Sequence, residues 1–446
     1  MKKDDRFRSR MGFILACIGS AVGMGNIWRF PNMVSTYGGL TFLIPYVLFV
    51  ALIGSTGVIE EMALGRLAGP GSGPVGAFGT AMRIRNGREK TGRAIGFIPV
   101  LGSLALGIGY TVVMGWIFKY TVMSYDGRLS AMGQDMDVIG GTFGVTADSW
   151  GCNAWIVAVI LVTFIIMSLG IARGIEKANK FMMPALFILL VVLAVYMATL
   201  AGSGDGYKYI FTIQDPSMLV NQKTWIYAFG QAFFSLSIAG NGTVIYGSYL
   251  SKDEAIPSSA RNVAVFDTLA ALLAALVIIP AMATTGEKLS AGGPGLMFIY
   301  LINVINGMAG GRIVAIIFFT CVTFAGVSSI INMYETPVAY LQEKFRLSRV
   351  LSTALVLVLG CAAALCIQHI TSDWMDVVSI YICPLGALLA GIMFFWILPK
   401  DRAVSAVEEG NDGKKIFGGF YFLGKYVYCA CALIALIAGA ALGGIG

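Results

Sequence analysis

The sequence predicts an all-α polytopic membrane protein. Hydrophobic residues make up 57% of the 446-residue chain and charged residues only 12%, and the mean hydropathy is +0.79. The apolar residues arrive in continuous runs of about 17 to 27, not in amphipathic stripes, and such lengths cross a hydrocarbon core as helices. Eleven runs can be read in order, at 11–36, 40–65, 94–120, 154–171, 180–201, 225–250, 262–284, 312–341, 350–368, 374–398 and 419–443. Helices are required there because lipid offers the backbone no hydrogen-bond partner.

The first run contains MGFILACIGSAVGMGNIWRFP, the stretch around which the others are organised. Gly19, Gly23 and Gly25 fall close together and are followed by Asn26 and Arg29, none of which suits a lipid-facing turn. The helix is expected to break there. Peptide groups freed at mid-membrane are satisfied only by protein, water or a bound solute. Gly19 and Gly23 also have the spacing of a close helix contact, but packing explains the glycines and leaves Asn26 and Arg29 without a reason. A solute site is the expectation. Lys2, Lys3, Arg6, Arg8 and Arg10 lead straight into this run with no small-residue cleavage site, so it is expected to stay in the mature protein.

The formal charge of +7 suggests an anionic partner until the basic residues are placed. The N-terminal five, Arg66, Arg83 to Arg93, Arg173 to Lys180, Lys252 and Arg261, Lys344 to Arg349 and Lys400 to Lys415 fall on one side of the membrane, and the other keeps only a scatter that includes Lys119, Arg128, Lys208, Lys223, Lys288 and Arg312. The positive-inside rule makes the richer side, with residues 1–10, cytoplasmic, and accounts for the charge without nucleic acid. Of eight cysteines, seven lie inside apolar runs and read as small hydrophobes, not as a disulfide or zinc framework. The sequon at Asn241 is mid-membrane, so the outer loops offer no glycan acceptor, which favours a bacterial cytoplasmic membrane. Stretches 68–92 and 125–153 read as connections, 292–308 as a re-entrant or lid-like hairpin, and 400–419 as a polar, mobile loop.

The sixth run carries a second interruption, at Ala239-Gly240-Asn241-Gly242. Two broken helices five spans apart run in opposite directions, the pattern of inverted-repeat secondary transporters whose site lies where both helices unwind. A single transporter domain would then hold repeats at 11–201 and 225–398, with 419–443 added outside them; no letter-by-letter repeat accompanies this topology.

GSAVGMGNIWRFP in span 1, EEMALGR in span 2, FFSLS in span 6 and FAGVSS in span 8 resemble the motifs of the neurotransmitter:sodium symporter family, in family order and spacing. The likeness covers spans 1 to 10 and implies a LeuT-like fold of five-plus-five inverted repeats. Ending after span 11 departs from the twelve-span members and is similar to the eleven-span bacterial ones.

The resemblance implies two sodium sites. The first would use the Ala21 carbonyl, Asn26, Ser235 and Asp267, with the substrate carboxylate. Asp267 is the one charged residue between Arg261 and Glu287, and an aspartate at that depth is either a ligand or a structural partner of another helix. A fixed carboxylate there would resemble the chloride-independent members. The second site would use the Gly19, Val22 and Ala325 carbonyls with the hydroxyls of Ser328 and Ser329. A serine pair alone is as readily explained by bonding back to its own helix.

Free N–H groups around Met24 and Gly25, where span 1 restarts, would face an anion, and Tyr110 resembles the family tyrosine that holds a carboxylate. Gly23 stands where monoamine carriers have an aspartate, so an α-amino acid is implied, its amine met near Ser237. Leu106, Phe234, Ile238, Gly240 and Ser329 would line the side-chain pocket. The small Gly240 leaves room for a large hydrophobic or aromatic side chain such as tyrosine. Arg29 and Asp376 resemble an outer gate, and Glu343 the acid of an inner gate whose arginine could be Arg6, Arg8 or Arg10. Glu61 and Glu335 read as buried structural acids hydrogen-bonded to the breaks.

The expected function is Na⁺-coupled symport of an amino acid by alternating access, with an exchanger or proton-coupled carrier as the alternative. A channel would want rings of charge or a symmetric filter. An enzyme would want reactive groups, yet the chain has one histidine, His369, and no HExxH, Walker or GxSxG context. No partner protein is implied beyond lipid, amino acid and Na⁺.

Overall fold

A computed structural model describes residues 6–238, 241–284 and 294–444. Within them the chain is helical, and strand-like pairing is confined to one bridge between Gly39 and Ile213. Eight helices are long and apolar enough to cross a membrane: Leu40–Ala68, Glu89–Tyr125, Ile171–Ala198, Ile256–Ala283, Gly311–Phe345, Arg349–Cys366, Gln368–Ile397 and Phe420–Leu442. Another crossing is the bent pair Arg10–Ala21 and Gly25–Thr36, whose halves meet at 55°. The shorter Asn153–Ser168 and the pair Gln222–Ser235 with Gly242–Ser248 take the fourth and sixth places in chain order. The described helices therefore match the eleven runs one for one.

Local chemistry sets the helix ends. Ser9 caps span 1 by accepting from the Gly12 N–H at 3.1 Å, and Ser348 caps span 9 through the Leu351 N–H at 3.3 Å. Gly170, with φ of 88°, separates spans 4 and 5 in a conformation that glycine adopts freely. The surface is the reverse of a soluble protein's. Val191, Val195, Leu355, Val358, Ile434 and Ile437 point outward, whereas Asn26, Glu60, Glu61, Asp267 and Glu335 are wholly buried, as expected where lipid is the solvent.

Several boundaries differ from the hydropathy reading. Span 5 begins at Ile171, not 180, because its first turns carry charges that are satisfied inside the protein: Glu176 accepts from the Arg8 N–H at 2.7 Å, from Ser9 Oγ at 2.8 Å and from Lys180 Nζ at 2.6 Å. Stretch 68–92 holds the helix Pro74–Asn86, and stretch 125–153 holds Arg128–Ala131 and Met136–Ala147. The 400–419 loop is not simply mobile, since Lys400–Glu408 is helical. Arg66 of span 2 pins it by donating to Ala406 O at 2.8 Å and Glu409 O at 2.6 Å, and to Glu254 O at 2.6 Å. One buried guanidinium thus satisfies the carbonyls of two chain reversals. The expected hairpin at 292–308 is described from residue 294 onward. Its helical part, Leu296–Tyr300 and Leu301–Asn306, buries Phe298 against Trp28, Trp116, Tyr120 and Phe143.

Candidate functional site

The first half of span 1 ends at Ala21. Val22 is extended, with φ of −72° and ψ of 106°, and helix resumes as one wide turn at Gly25–Arg29. Span 6 stops at Ser235, passes through left-handed Ser237 (φ 58°) and Asn241 (φ 49°), and restarts at Gly242. Ala239 and Gly240 lie outside the described residues, so the place expected for Gly240 in the pocket is not described either.

Side chains take up peptide groups that the breaks release. Ser237 Oγ donates to Ser20 O at 2.6 Å, Gln231 Nε2 to Gly25 O at 2.9 Å and Asn332 Nδ2 to Gly242 O at 3.1 Å. The Gly23 N–H donates to Asn26 Oδ1 at 3.0 Å, and the Met24 N–H to Tyr110 Oη at 3.0 Å. Beside the second break, Asn241 Nδ2 donates to Glu61 Oε1 at 2.7 Å. Each bond answers the need for buried peptide and amide groups to be paired.

Two oxygen-rich clusters flank the breaks. In the first, Asn26 Nδ2 lies 2.8 Å from Asp267 Oδ1, 3.2 Å from Asp267 O and 3.0 Å from Ser235 Oγ. Ser235 Oγ donates to Asp267 Oδ2 at 2.7 Å. In the second, Ser329 Oγ donates to Gly19 O at 3.4 Å and Val22 O at 3.3 Å, and Ser328 Oγ donates to Ala325 O at 2.9 Å and Phe324 O at 3.0 Å. Uncharged carbonyls and hydroxyls with one carboxylate form a hard-oxygen donor set suited to a small hard cation and unsuited to zinc or copper.

Between the clusters is a cavity of about 40 Å³. Ala21, Gly23, Met24, Gly25, Asn26, Leu106, Tyr110, Phe234, Ser235, Ser237 and Ser329 line it, as expected from the sequence. Ile238 does not: its side chain turns toward Gly57 of span 2, because the left-handed turn at Ser237 reverses the direction of the chain. Ser20, Ser103, Gly242, Asn332 and Met333 line the cavity without having been foreseen. Gln231 and Asn332 had a signal, each being a lone amide inside an apolar helix beside a motif.

The charged pairs depart from expectation in their partners. Arg29 lies over the Phe234 ring at 5.1 Å and shares a second, 60 Å³ cavity with Asp376, but the two form no ion pair among the described residues. Glu343 pairs with Arg93 of span 3 at 2.6 Å, where an N-terminal arginine was expected. Instead, the N-terminal segment engages Glu176, and Arg10 lies 3.5 Å from Glu254. Burial pushes the Glu254 carboxyl up, against the pull of Arg10 and Arg66. Glu335 meets not the break itself but Arg349, at 2.5 and 2.6 Å, and the Tyr249 hydroxyl at 2.6 Å.

Comparison with known proteins places this geometry. The profile of the Sodium:neurotransmitter symporter family matches residues 4–135 and 144–409. An uncharacterized sodium-dependent transporter of Methanocaldococcus jannaschii is 30% identical over 431 residues, covering 92% of this chain and 85% of that one. The rat sodium-dependent neutral amino acid transporter B(0)AT3 is 25% identical over 423 residues, covering 74% and 66%. Among solved structures, MhsT in complex with L-phenylalanine superimposes with a TM-score of 0.85 at 31% identity, covering 97% of this chain and 99% of that one.

Proposed function

The chain belongs to the sodium:neurotransmitter symporter family and has its LeuT-like fold, and from that premise we propose that it is a chloride-independent Na⁺ symporter of α-amino acids with large hydrophobic or aromatic side chains. The family makes it a sodium-dependent, multi-pass membrane transporter and not an enzyme. The substrate, the two sodium sites and the residue roles are our reading. So are a cytoplasmic N-terminus in a bacterial cell membrane and a division into repeats 11–201 and 225–398.

The observation that carries the reading is one small cavity with Tyr110 and the span 1 break at one end, apolar side chains at the other and an oxygen cluster on either side, and side chains such as Phe234 would move to widen it around an amino acid. At the first end, Tyr110 Oη and the N–H groups at Met24 and Gly25 would hold the substrate's anionic group. Its ammonium would meet Ser20 O and Ser237 Oγ at the facing break. Asn26, Ser235, Asp267 and the Ala21 carbonyl would ligate one sodium, with the Asn26 amide turned so that Oδ1 faces it. Gly19, Val22, Ala325, Ser328 and Ser329 would ligate the other. Because the first sodium and the substrate carboxylate would share a ligand shell, each raises the affinity for the other, and coupling follows by linkage.

Leu106, Phe234 and Met333 make the far end apolar, and a relative that is 31% identical was solved with L-phenylalanine bound. Asp267 supplies a fixed negative charge beside the first cluster, so no chloride is needed there. Arg29 with Asp376, and Glu343 with Arg93, would close the outer and inner routes in turn.

The test is sodium-dependent binding of labelled tyrosine to purified protein, with each unlabelled amino acid as competitor, in sodium chloride and in sodium gluconate. Phenylalanine, tyrosine, tryptophan and leucine should compete equally well in both salts. Displacement by glycine or alanine but not by aromatics would reject the substrate class, and binding driven by pH in the absence of sodium would favour a proton-coupled carrier.

A further inference from the structure

We propose that Asn179 of span 5 supplies a further oxygen to the second cation cage, which the family motifs draw from spans 1 and 8 alone. The inference rests on reading Gly19, Val22, Ala325, Ser328 and Ser329 as a sodium site, and adds a ligand that this reading does not contain.

Asn179 is completely buried. Its Nδ2 donates to Ile175 O, one turn back in the same helix, at 2.9 Å, and that bond fixes the amide plane. Oδ1, at the other end of the amide, accepts no hydrogen bond among the described residues, although it is sealed from solvent. It lies against the cage: a Cβ built on Gly19 would stand 2.1 Å from Asn179 Oδ1 and 2.9 Å from Ser328 Cβ. The unpartnered oxygen therefore sits directly beside Gly19 and next to Ser328, two residues of the cage as read above.

A buried amide oxygen left without a donor is costly and uncommon, and calls for a physical reason. A cation supplies one. The three carbonyls and two hydroxyls read from the sequence give five oxygens, and Asn179 Oδ1 makes six without adding charge, in keeping with the all-oxygen shells that hard cations take. It also explains why position 19 is glycine. Any side chain there would occupy the space in which Oδ1 sits. With Asn179 in the shell, sodium at this site ties span 5 to spans 1 and 8.

The experiment compares the full-length protein with Asn179→Leu, Asn179→Asp and Ser328→Ala. Two quantities are read for each: the sodium concentration that half-saturates labelled tyrosine binding, and the gain in thermal stability on replacing choline chloride by sodium chloride with no amino acid present. Asn179→Leu should raise the half-saturating sodium concentration by about tenfold, the scale on which a lost metal contact is felt. It should also lose most of the sodium-specific stabilisation while melting in choline chloride no lower than the parent. Asn179→Asp, which keeps an oxygen in place, should need less sodium than the parent. If Asn179→Leu stays within twofold of the parent while Ser328→Ala shifts, the inference is overturned and the cage stands. If Ser328→Ala does not shift either, the cage reading itself fails. Should Asn179→Leu not fold, Asn179→Asp decides alone: a carboxylate in the shell should lower the half-saturating sodium concentration severalfold, and an unchanged or higher value rejects the proposal.

Discussion

Replacing Asp267 by asparagine removes one charge from the first cluster and turns one of its two acceptor oxygens into a donor, which the Ser235 hydroxyl can meet by rotating to accept. The carboxylate is fully buried and is held by Asn26 Nδ2 at 2.8 Å and Ser235 Oγ at 2.7 Å. A cation among these oxygens would lie about 4 Å from the centre of the carboxylate charge, where the attraction at an effective dielectric of about 20 is about 4 kcal/mol. Part of that is offset because the asparagine amide oxygen can still ligate the cation. The net loss should be about 2 to 3 kcal/mol, or ~30- to 150-fold in sodium affinity at that site. Because substrate and sodium are linked, apparent amino-acid affinity should fall in parallel at limiting sodium and recover as sodium is raised. The assay is equilibrium binding of labelled tyrosine as a function of sodium, in gluconate and in chloride. Asp267→Asn should bind poorly in gluconate and better in chloride, since a mobile anion can replace the missing charge. Parental sodium dependence in chloride-free buffer would refute the argument.

Two further outcomes follow from contacts on the same scale. Tyr110→Phe removes the acceptor of the Met24 N–H at 3.0 Å together with the proposed carboxylate donor. Binding of labelled tyrosine at saturating sodium should weaken by about 1 to 3 kcal/mol, with thermal stability in choline chloride little changed. Glu335→Gln removes the buried charge opposite Arg349, where Glu335 is 0% and Arg349 13% exposed and the contacts are 2.5 and 2.6 Å. It should lower stability by about 3 to 5 kcal/mol, read as a drop in the melting temperature of the purified protein, and a Glu335→Leu/Arg349→Met pair should recover much of the loss.

What could be read from the sequence depended on whether a signal was local. Helix number was legible because each crossing must be helical and apolar over its whole length, and the breaks were legible because Gly19, Gly23 and Asn26 cannot serve a lipid-facing helix. The ends of span 5 were not legible, since Glu176 and Lys180 look like loop charges until their mutual contact and the Ser9 contact are seen. The helix at Lys400–Glu408 was hidden for the same reason, because its anchor, Arg66, lies far away in sequence. Ile238 was misplaced because a single left-handed residue, Ser237, decides which way the next side chain points, and hydropathy carries no information about φ.

By itself, then, the sequence determined an all-helical membrane chain, its eleven crossings, the two interruptions and the residue types that face them. These follow from one-dimensional rules, because lipid obliges every crossing to satisfy its own backbone. The tertiary structure decided which polar group answers which. It paired Glu343 with Arg93, left Arg29 over Phe234 and short of Asp376, and set the Asn179 amide oxygen against Gly19. Such pairings join residues distant along the chain, and only the packing of whole helices brings their side chains within hydrogen-bond reach.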